Sequence, residues 1–325
     1  VFNFNGRWVL SPANILLPIC LFGYWTKSLL WARYDSYDQK ATTDALHARN
    51  NIFGHEVKPR SDSEVSIKVG LIRDLYEDMS VFLQYAEGYR NPNFDEAYNT
   101  YTNLAQMYTI IPNPDITAET SEGFEIGLRG SVSNTVWSLA YYKNDYKDFI
   151  AYEFLFPPIQ GVLQVQYQNL GSVETDGVEF ESKTIFSDNF SASIGLSMNN
   201  GKEDDSYLDS LSPDHAKIAL SWISDNGKFR WNTSSTIMES SRSNLNPVCG
   251  RSGQCLPAQE TSGRVTLDTY LSFDLNENLN FKFGVRNLTN VKYWDYPTIA
   301  GQAAGTADEY LMPGTNTNFS VRYSL

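Results

Sequence analysis

The feature that most constrains this chain is a strict alternation of apolar and polar residues in many short segments. Residues 279–286 are one example, with apolar side chains at Leu279, Phe281, Phe283 and Val285. Successive side chains of a β-strand point to opposite sides, so a period of two indicates strands with one apolar and one polar face. A helix would need a period of 3.6 residues, which these segments do not show. The sequence therefore predicts an all-β fold.

Short and long connections take turns along the chain. Short polar turns are predicted at residues 76–79, 133–135, 187–189, 225–227 and 276–278, and long irregular loops at 39–63, 91–120, 153–163, 202–212, 239–262 and 290–315. A sandwich or propeller has no reason to place every long loop at one end, whereas an outer-membrane barrel has short periplasmic turns and long extracellular loops. We therefore predict a transmembrane antiparallel up-and-down β-barrel.

From Thr26 onward the pattern gives about twelve strands, each near the roughly ten residues that cross a bilayer when tilted. One predicted strand, residues 165–186, is much longer than the others. Residues 1–31 do not alternate and are predicted to be an irregular N-terminal segment. Residues 32–325 are predicted to form the C-terminal part of a barrel in a longer protein.

Composition excludes two classes of protein. The formal net charge of -13 argues against a nucleic-acid partner, because phosphate binding needs a basic surface. The mean hydropathy of -0.37 is too low for a protein that crosses membranes with helices of about twenty apolar residues. Three histidines, none in a nucleophile motif, also argue against an enzyme.

The stretch SVFLQYAEGYRNPNFDEAY, Ser80–Tyr98, resembles a box of TonB-dependent haemoglobin, transferrin and haem receptors, in which a strand leads into a long loop. The residues that carry this likeness are Tyr89, Arg90, Asn91 and Pro92, with Tyr and Asn where the family has Phe and Ala. A second stretch, Ile111–Gly130, is similar to the box that closes that loop and opens the next strand. Its matching residues are Asn113, Pro114, Asp115, Ile116 and Glu119.

The C-terminal stretches GVRNLTNVKYWDY and MPGTNTNFSVRYSL also resemble this family. The resemblance implies part of a 22-stranded barrel, with a plug domain and a TonB-binding segment elsewhere in the protein. It further implies import of haem or another iron-bearing ligand through the outer membrane of a Gram-negative bacterium. The implied partners are outer-membrane lipid, the TonB complex and the iron-bearing ligand or haem protein, with haem as cargo rather than as an intrinsic cofactor.

Two alternatives stay open: a receptor of the same superfamily for a siderophore or another substrate, and a passive porin-like barrel. Haem receptors of this branch are expected to have a histidine ligand between the two boxes, but residues 93–112 contain none. Tyrosine can also ligate haem iron, so the candidate ligands are Tyr98, Tyr101 and Tyr108 in this loop and His47 and His55 in the loop before it. No metal can be assigned. The boxes themselves fit either barrel-mouth architecture or ligand contacts.

A further prediction concerns Cys249 and Cys255, which lie close together in the turn-rich stretch NPVCGRSGQC. In an oxidising compartment they could close a small disulfide loop.

Overall fold

The computed structural model describes residues 15–17, 26–169, 171–203, 206–208, 211–241, 247–249 and 254–324. Within them the β-strands are, in chain order, β1 Ile15–Leu17, β2 Thr26–Gln39, β3 Arg60–Tyr76, β4 Met79–Arg90, β5 Tyr101–Asn103, β6 Tyr108–Ile111, β7 Glu119–Val132, β8 Thr135–Lys147, β9 Ile150–Ile159, β10 Val162–Asn169, β11 Ser172–Ser187, β12 Phe190–Glu203, β13 Ser206–Tyr207, β14 His215–Ile223, β15 Phe229–Met238, β16 Val248–Cys249, β17 Cys255–Leu256, β18 Arg264–Asn276, β19 Leu279–Arg286 and β20 Asn316–Tyr323. The helices are α1 Ala45–Asn50, α2 Phe94–Tyr98 and α3 Tyr296–Ile299, with a 3-10 turn at Asp308–Tyr310.

Most of the long strands belong to one sheet. Its hydrogen-bonded order is β1-β2-β3-β4-β7-β8-β11-β12-β14-β15-β18-β19-β20, with β13 beside β12. Apart from the two-residue β13, twelve of these described strands begin at or after Thr26, as the alternation predicts. The pairs from β12 to β20 along this order are antiparallel.

The predicted short turns are confirmed. Two residues separate β3 from β4, β7 from β8, β11 from β12 and β18 from β19, and five separate β14 from β15. Gly227, in the five-residue turn, has a φ of +68°, a backbone conformation that glycine adopts without steric cost. These turns hold consecutive strands in register, so the apolar residues of neighbouring strands fall on the same face.

The described residues form two compact units. One contains the described parts of Val1–Ile72, Leu83–Phe124 and Lys143–Glu174, and the other those of Arg73–Phe82, Glu125–Tyr142 and Thr175–Leu325. The second unit has exposed apolar faces: Ile218 is 39% exposed and Phe283 47% exposed, in the middle of their strands. Two sheets packed as a soluble sandwich would bury such residues between them. Strands that expose a continuous apolar face are suited to lipid.

A row of phenylalanines reinforces this apolar face. The rings of Phe229 and Phe273 stack with centroids 4.4 Å apart, and the series continues through Phe281 to Phe319 at 6.4 Å per step. It crosses the four strands β15, β18, β19 and β20. Such aromatic rows are typical of the bands that flank the apolar belt of membrane barrels.

The opposite face of the same strands is polar. Arg230 forms an ion pair of 2.6 Å with Asp274, which also accepts a hydrogen bond from Asn280. These residues, with Lys282 and Arg322, line an open cleft of about 1570 Å³. Charged side chains on this side stay hydrated, which is the arrangement of a barrel with a wet interior.

Two local predictions are wrong. The long loop predicted at residues 153–163 is a hairpin of β9 and β10 with only two connecting residues. The single long strand predicted at 165–186 is divided between β10 and β11, which lie in different sheets. The strands β9 and β10 pair instead with β5 and β6, from the previous long connection, in a four-stranded sheet of order β5-β6-β10-β9.

Much of residues 1–31, for which an irregular segment is predicted, lies outside the described residues. The described parts are β1, which pairs antiparallel with β2, and the first residues of β2 itself. Among the described residues, no helix has the length and apolar character needed to cross a membrane.

The apolar and polar faces can be distinguished by a pair of adjacent substitutions in β14. We expect Ile218→Lys to lower the free energy of unfolding in lipid vesicles by about 2–4 kcal/mol, because it places a charge in hydrocarbon. The control is Ala219→Lys on the polar face, which should cost far less. Guanidinium titration of the full-length protein measures both, and equal losses would contradict the assignment of faces.

Candidate functional site

The residues of the two family boxes meet at one arginine. The guanidinium of Arg90, the last residue of β4, donates two hydrogen bonds to the carboxylate of Glu96, at 2.8 and 2.9 Å. It also binds the carboxylate of Glu119, the first residue of β7. Glu119 in turn accepts a hydrogen bond of 2.7 Å from the backbone N–H of Ile150, the first residue of β9. The Arg90 side chain thus links the start of the long loop to its end. Glu119 extends this link to the next long connection, which begins with β9.

The segment after β4 is held by local hydrogen bonds. Asn93 and Glu96 form a capping box at the start of α2, in which each side chain accepts a hydrogen bond from the other residue's backbone N–H. At the far end of the loop, Asn113 donates from its backbone to the carbonyl of Ala97 and from its side chain to that of Tyr167. Its side-chain oxygen accepts from the N–H of Asp115.

A small hydrophobic core lies beneath these contacts. It consists of Ala97, Tyr98, Ile116 and Ile150, and nearby Pro92 and Pro112 are also fully buried. Asn91 donates to the carbonyl of Pro92, and the Tyr89 ring packs 5.9 Å from that of Tyr37. Pro114 adjoins the Asn113–Asp115 turn. The contacts of the box residues therefore favour the architectural interpretation of the boxes over direct ligand contact.

Both ring nitrogens of His47 contact other side chains of the chain. Its Nδ1 hydrogen-bonds with Thr100 Oγ1 at 3.1 Å, and its Nε2 lies 3.4 Å from the side-chain nitrogen of Asn51. Whichever ring nitrogen bound iron would have to give up its contact. His47 also lines a cavity of about 50 Å³ with Tyr98 and Phe94. Sites for drug-sized ligands measure about 300–1,000 Å³, so this cavity has room for water but not for a porphyrin.

His55, like His47, contacts the side chain of Asn51. Its Nε2 is 3.3 Å from the side-chain nitrogen of Gln164, and its backbone N–H donates to Asn51. Burial lowers the pKa of the His55 ring because it disfavours the charged form. The His55 side chain forms part of the packing between its loop and β10.

The three candidate tyrosines occupy two environments. Tyr98 is 4% exposed, donates to the carbonyl of Gln39 at 3.4 Å, and has its pKa raised by burial. Tyr101 and Tyr108 lie together on β5 and β6, with ring centroids 6.0 Å apart, and Tyr101 is largely exposed. The proposed ligating roles of all five histidines and tyrosines stay predictions. The structure brings Tyr101 and Tyr108 together.

Cys249 and Cys255 are joined by a disulfide across the short hairpin of β16 and β17. Among the described residues, no group of three or more histidine, cysteine or acidic side chains has a metal-binding arrangement.

Sequence reasoning missed the exposed aromatic residues of β9. Tyr152, Phe154 and Phe156 alternate with residues of the other face, and the last two lie inside residues 153–163, which are predicted to be a loop. The period of two was present from Tyr152 to Phe156 and could have revealed the strand. The two consecutive prolines that follow, and the strand's position beyond the main sheet, obscured the pattern.

The sequence matches the family model "TonB dependent receptor-like, beta-barrel" over residues 29–288. Among curated proteins it is 25% identical to hemoglobin-binding protein A of Haemophilus influenzae over 280 residues, which cover 74% of this chain and 27% of that protein. It is 22% identical to hemoglobin-haptoglobin utilization protein B of Neisseria meningitidis, covering 89% of this chain and 41% of that protein. The chain thus spans less than half the length of these relatives.

Solved structures show the same fold. The copper transporter OprC aligns with a TM-score of 0.71 at 16% identity, covering 94% of this chain and 46% of that protein. The FrpB iron transporter from Neisseria meningitidis aligns with a TM-score of 0.69 at 15% identity, covering 92% and 43%. The predicted transmembrane β-barrel fold is therefore confirmed, and the matching family is one of receptors rather than enzymes.

The Arg90 network can be tested by its removal. We expect Arg90→Ala to reduce the opening free energy of residues 91–118 by about 1–2 kcal/mol, a value discounted because the side chain is partly exposed. Amide hydrogen exchange of the full-length protein measures this opening. Lys147→Ala, which removes an exposed ion pair with Glu122, is the control and should cost less than about 0.5 kcal/mol. Equal protection in both variants would refute the role of Arg90.

The pKa of His55 predicts a pH dependence. In the opened loop the His55 ring has its ordinary pKa of 6.5, whereas in the closed loop its pKa is lower. The opened form therefore binds a proton more readily, and the closed form loses stability as pH falls below 6.5. Hydrogen exchange at residues 51–55, corrected for intrinsic rates, should therefore show weaker protection at about pH 5 than at about pH 7.5. His55→Gln should remove this difference. A variant with unchanged pH dependence would mean that another group titrates.

Proposed function

Because this chain belongs to the TonB-dependent receptor-like β-barrel family, we propose that the protein containing it imports haem or another iron-bearing ligand across the outer membrane of a Gram-negative bacterium. The observation that carries the proposal is similarity to haemoglobin-binding proteins over 74% or more of the chain. Other Haemophilus influenzae relatives with the same kind of name match shorter or comparable stretches.

The arrangement of residues supports such transport. Apolar side chains such as Ile218 and Phe283 contact lipid, while the charged face that includes Arg230 and Lys282 lines a hydrated interior. The long connections, held together by Arg90, present ligand-capturing surfaces outside the cell. The TonB complex supplies the energy for uptake. Haem is the cargo of this process and not a resident cofactor.

A receptor for a siderophore or another metal complex is the second candidate. The observation in its favour is the absence of histidine from residues 93–112, together with the occupied ring nitrogens of His47. A passive porin-like barrel is disfavoured by membership of a TonB-dependent family.

Growth experiments separate these functions. In a haem-auxotrophic, porphyrin-deficient host, the full-length receptor should support growth on haemoglobin or on haem, and deletion of the host's tonB gene should abolish it. Growth that survives the deletion would indicate a passive pore. The control is the same host with an empty vector.

Restored iron supply from a ferric siderophore, in an iron-starved host without its own siderophore receptors, would support the second candidate. This outcome, with no growth on haem or haemoglobin, would overturn the haem proposal.

A further inference from the structure

The four-stranded sheet β5-β6-β10-β9, here called the loop sheet, is built from two long connections. It lies between β4 and β7 and between β8 and β11 in sequence, at the strand ends opposite the two-residue turns. In an outer-membrane barrel that end is extracellular. The loop sheet therefore belongs to the part of the molecule that meets incoming ligands.

One face of the loop sheet is aromatic and apolar. Strand register places Tyr101 opposite Ile110, Ile110 opposite Val165, and Val165 opposite Phe154, so one row crosses all four strands. In the next row Tyr152 and Tyr167 stack with ring centroids 3.8 Å apart. Alternation puts Phe156 on the same face as Phe154.

Among the described residues this face is open along β9, whereas on β10 Val165 is only 8% exposed and Tyr167 packs against the small hydrophobic core around Tyr98. Tyr152, Phe154 and Phe156 are 44%, 55% and 59% exposed. The other face is covered instead: Gln164 contacts His55, and Thr102 Oγ1 hydrogen-bonds with Thr109 Oγ1 beneath the loop that contains α1. Strand spacing and rise give the whole face, including its buried part on β10, an area of about 350 Å², so the exposed area is smaller than this. Exposed apolar patches of a few hundred Å² commonly mark interaction sites.

Charge indicates which partner this face fits. Residues 91–120 and 148–169 contain no lysine or arginine, whereas they contain six acidic residues. Glu96 and Glu119 share the single charge of Arg90, and Glu153 lies on the opposite face of β9, so Asp95, Asp115 and Asp148 carry most of the unbalanced negative charge. Burial and a hydrogen bond with Tyr152 raise the pKa of Tyr167 at the edge of the face, and the carboxylates of Glu96 and Asp95 raise it further. The aromatic surface is therefore bordered, at Tyr167, by the carboxylates of Asp95 and of Glu96, the latter paired with Arg90.

An acidic border discriminates between ligands. Free haem carries two propionate groups and no cationic side chain of the loop sheet could neutralise them, so charge opposes its binding here. A protein surface with an apolar centre and basic residues around it matches both the rings and the charges.

We propose that the open face of the loop sheet is a docking surface for a haem-carrying globular protein with a basic-rimmed apolar patch. The inference rests on the proposed function and adds the place and chemistry of capture. Stable protein interfaces bury about 800 Å² per partner, so this face supplies less than half of one and the remaining contacts come from elsewhere on the receptor. Its loss should weaken binding without abolishing it.

The test uses the full-length receptor and haemoglobin as the probe. We expect the double variant Phe154→Ser, Phe156→Ser to bind haemoglobin about tenfold more weakly, because exposed aromatic rings contribute strongly to protein interfaces. Free haem, measured in parallel, should bind with unchanged affinity. The matched control is Leu46→Ser, Ile52→Ser, which removes two exposed apolar side chains of the neighbouring loop and should leave haemoglobin affinity unchanged.

Asp95→Asn provides a second variant that leaves the rings intact. It should weaken haemoglobin binding and reduce the loss of affinity between about 50 and about 500 mM NaCl, since salt screens the attraction of exposed charges. Retention of heat-modifiable mobility in gels verifies that each variant has folded.

The outcomes separate this inference from the proposed function. Wild-type affinity for haemoglobin in folded Phe154→Ser, Phe156→Ser receptor overturns the docking surface alone. Parallel loss of free haem binding also overturns it, because the rings would then hold porphyrin directly. Failure of the wild-type receptor to bind haemoglobin, with uptake of another iron ligand, overturns both proposals.

Discussion

The structure depends on pairing every backbone N–H and C=O of the long strands with a neighbouring strand, because lipid offers them no hydrogen-bonding partner. The register from β12 through β20 is regular apart from a single irregularity near Asp274 in the pair of β18 and β19. Regular pairing fixes which side chains share a face. Only then can Ile218 and Phe283 contact lipid while Arg230 and Lys282 contact water. The fold is thus stabilised by an apolar exterior, and the buried apolar cluster of Ala97, Tyr98, Ile116 and Ile150 serves the loops instead.

The loops are held in place by a different kind of interaction from the strands. Outside the lipid, position is fixed by specific polar contacts rather than by hydrocarbon. Arg90 holds two carboxylates from different segments, and the capping box at Asn93 sets where α2 begins. These contacts resemble those of a soluble domain, with a small core and satisfied polar groups. The residues that carry the family resemblance therefore fix the shape of the long connections. These connections also contain β9 with its exposed aromatic side chains.

Charge is distributed unevenly for a chain of net -13. The polar wall formed by β15, β18, β19 and β20 carries Arg230, Lys282, Arg286 and Arg322, whereas the loop-sheet segments 91–120 and 148–169 carry no basic residue at all. Each surface therefore suits partners of the opposite charge.

The sequence by itself determined the twelve long strands, their faces and the short turns, because alternation and turn chemistry are local and lipid enforces them strand by strand. It also located the boxes around Arg90 and Glu119, through resemblance. Only the tertiary structure decided that Glu96 and Glu119 both pair with Arg90. It also decided that His47 and Tyr98 hydrogen-bond to other residues of the chain. Finally, it decided that β10 pairs with both β9 and β6. These contacts join residues up to 59 positions apart in segments without a lipid boundary. No local period encodes which distant loop segment comes to lie beside another.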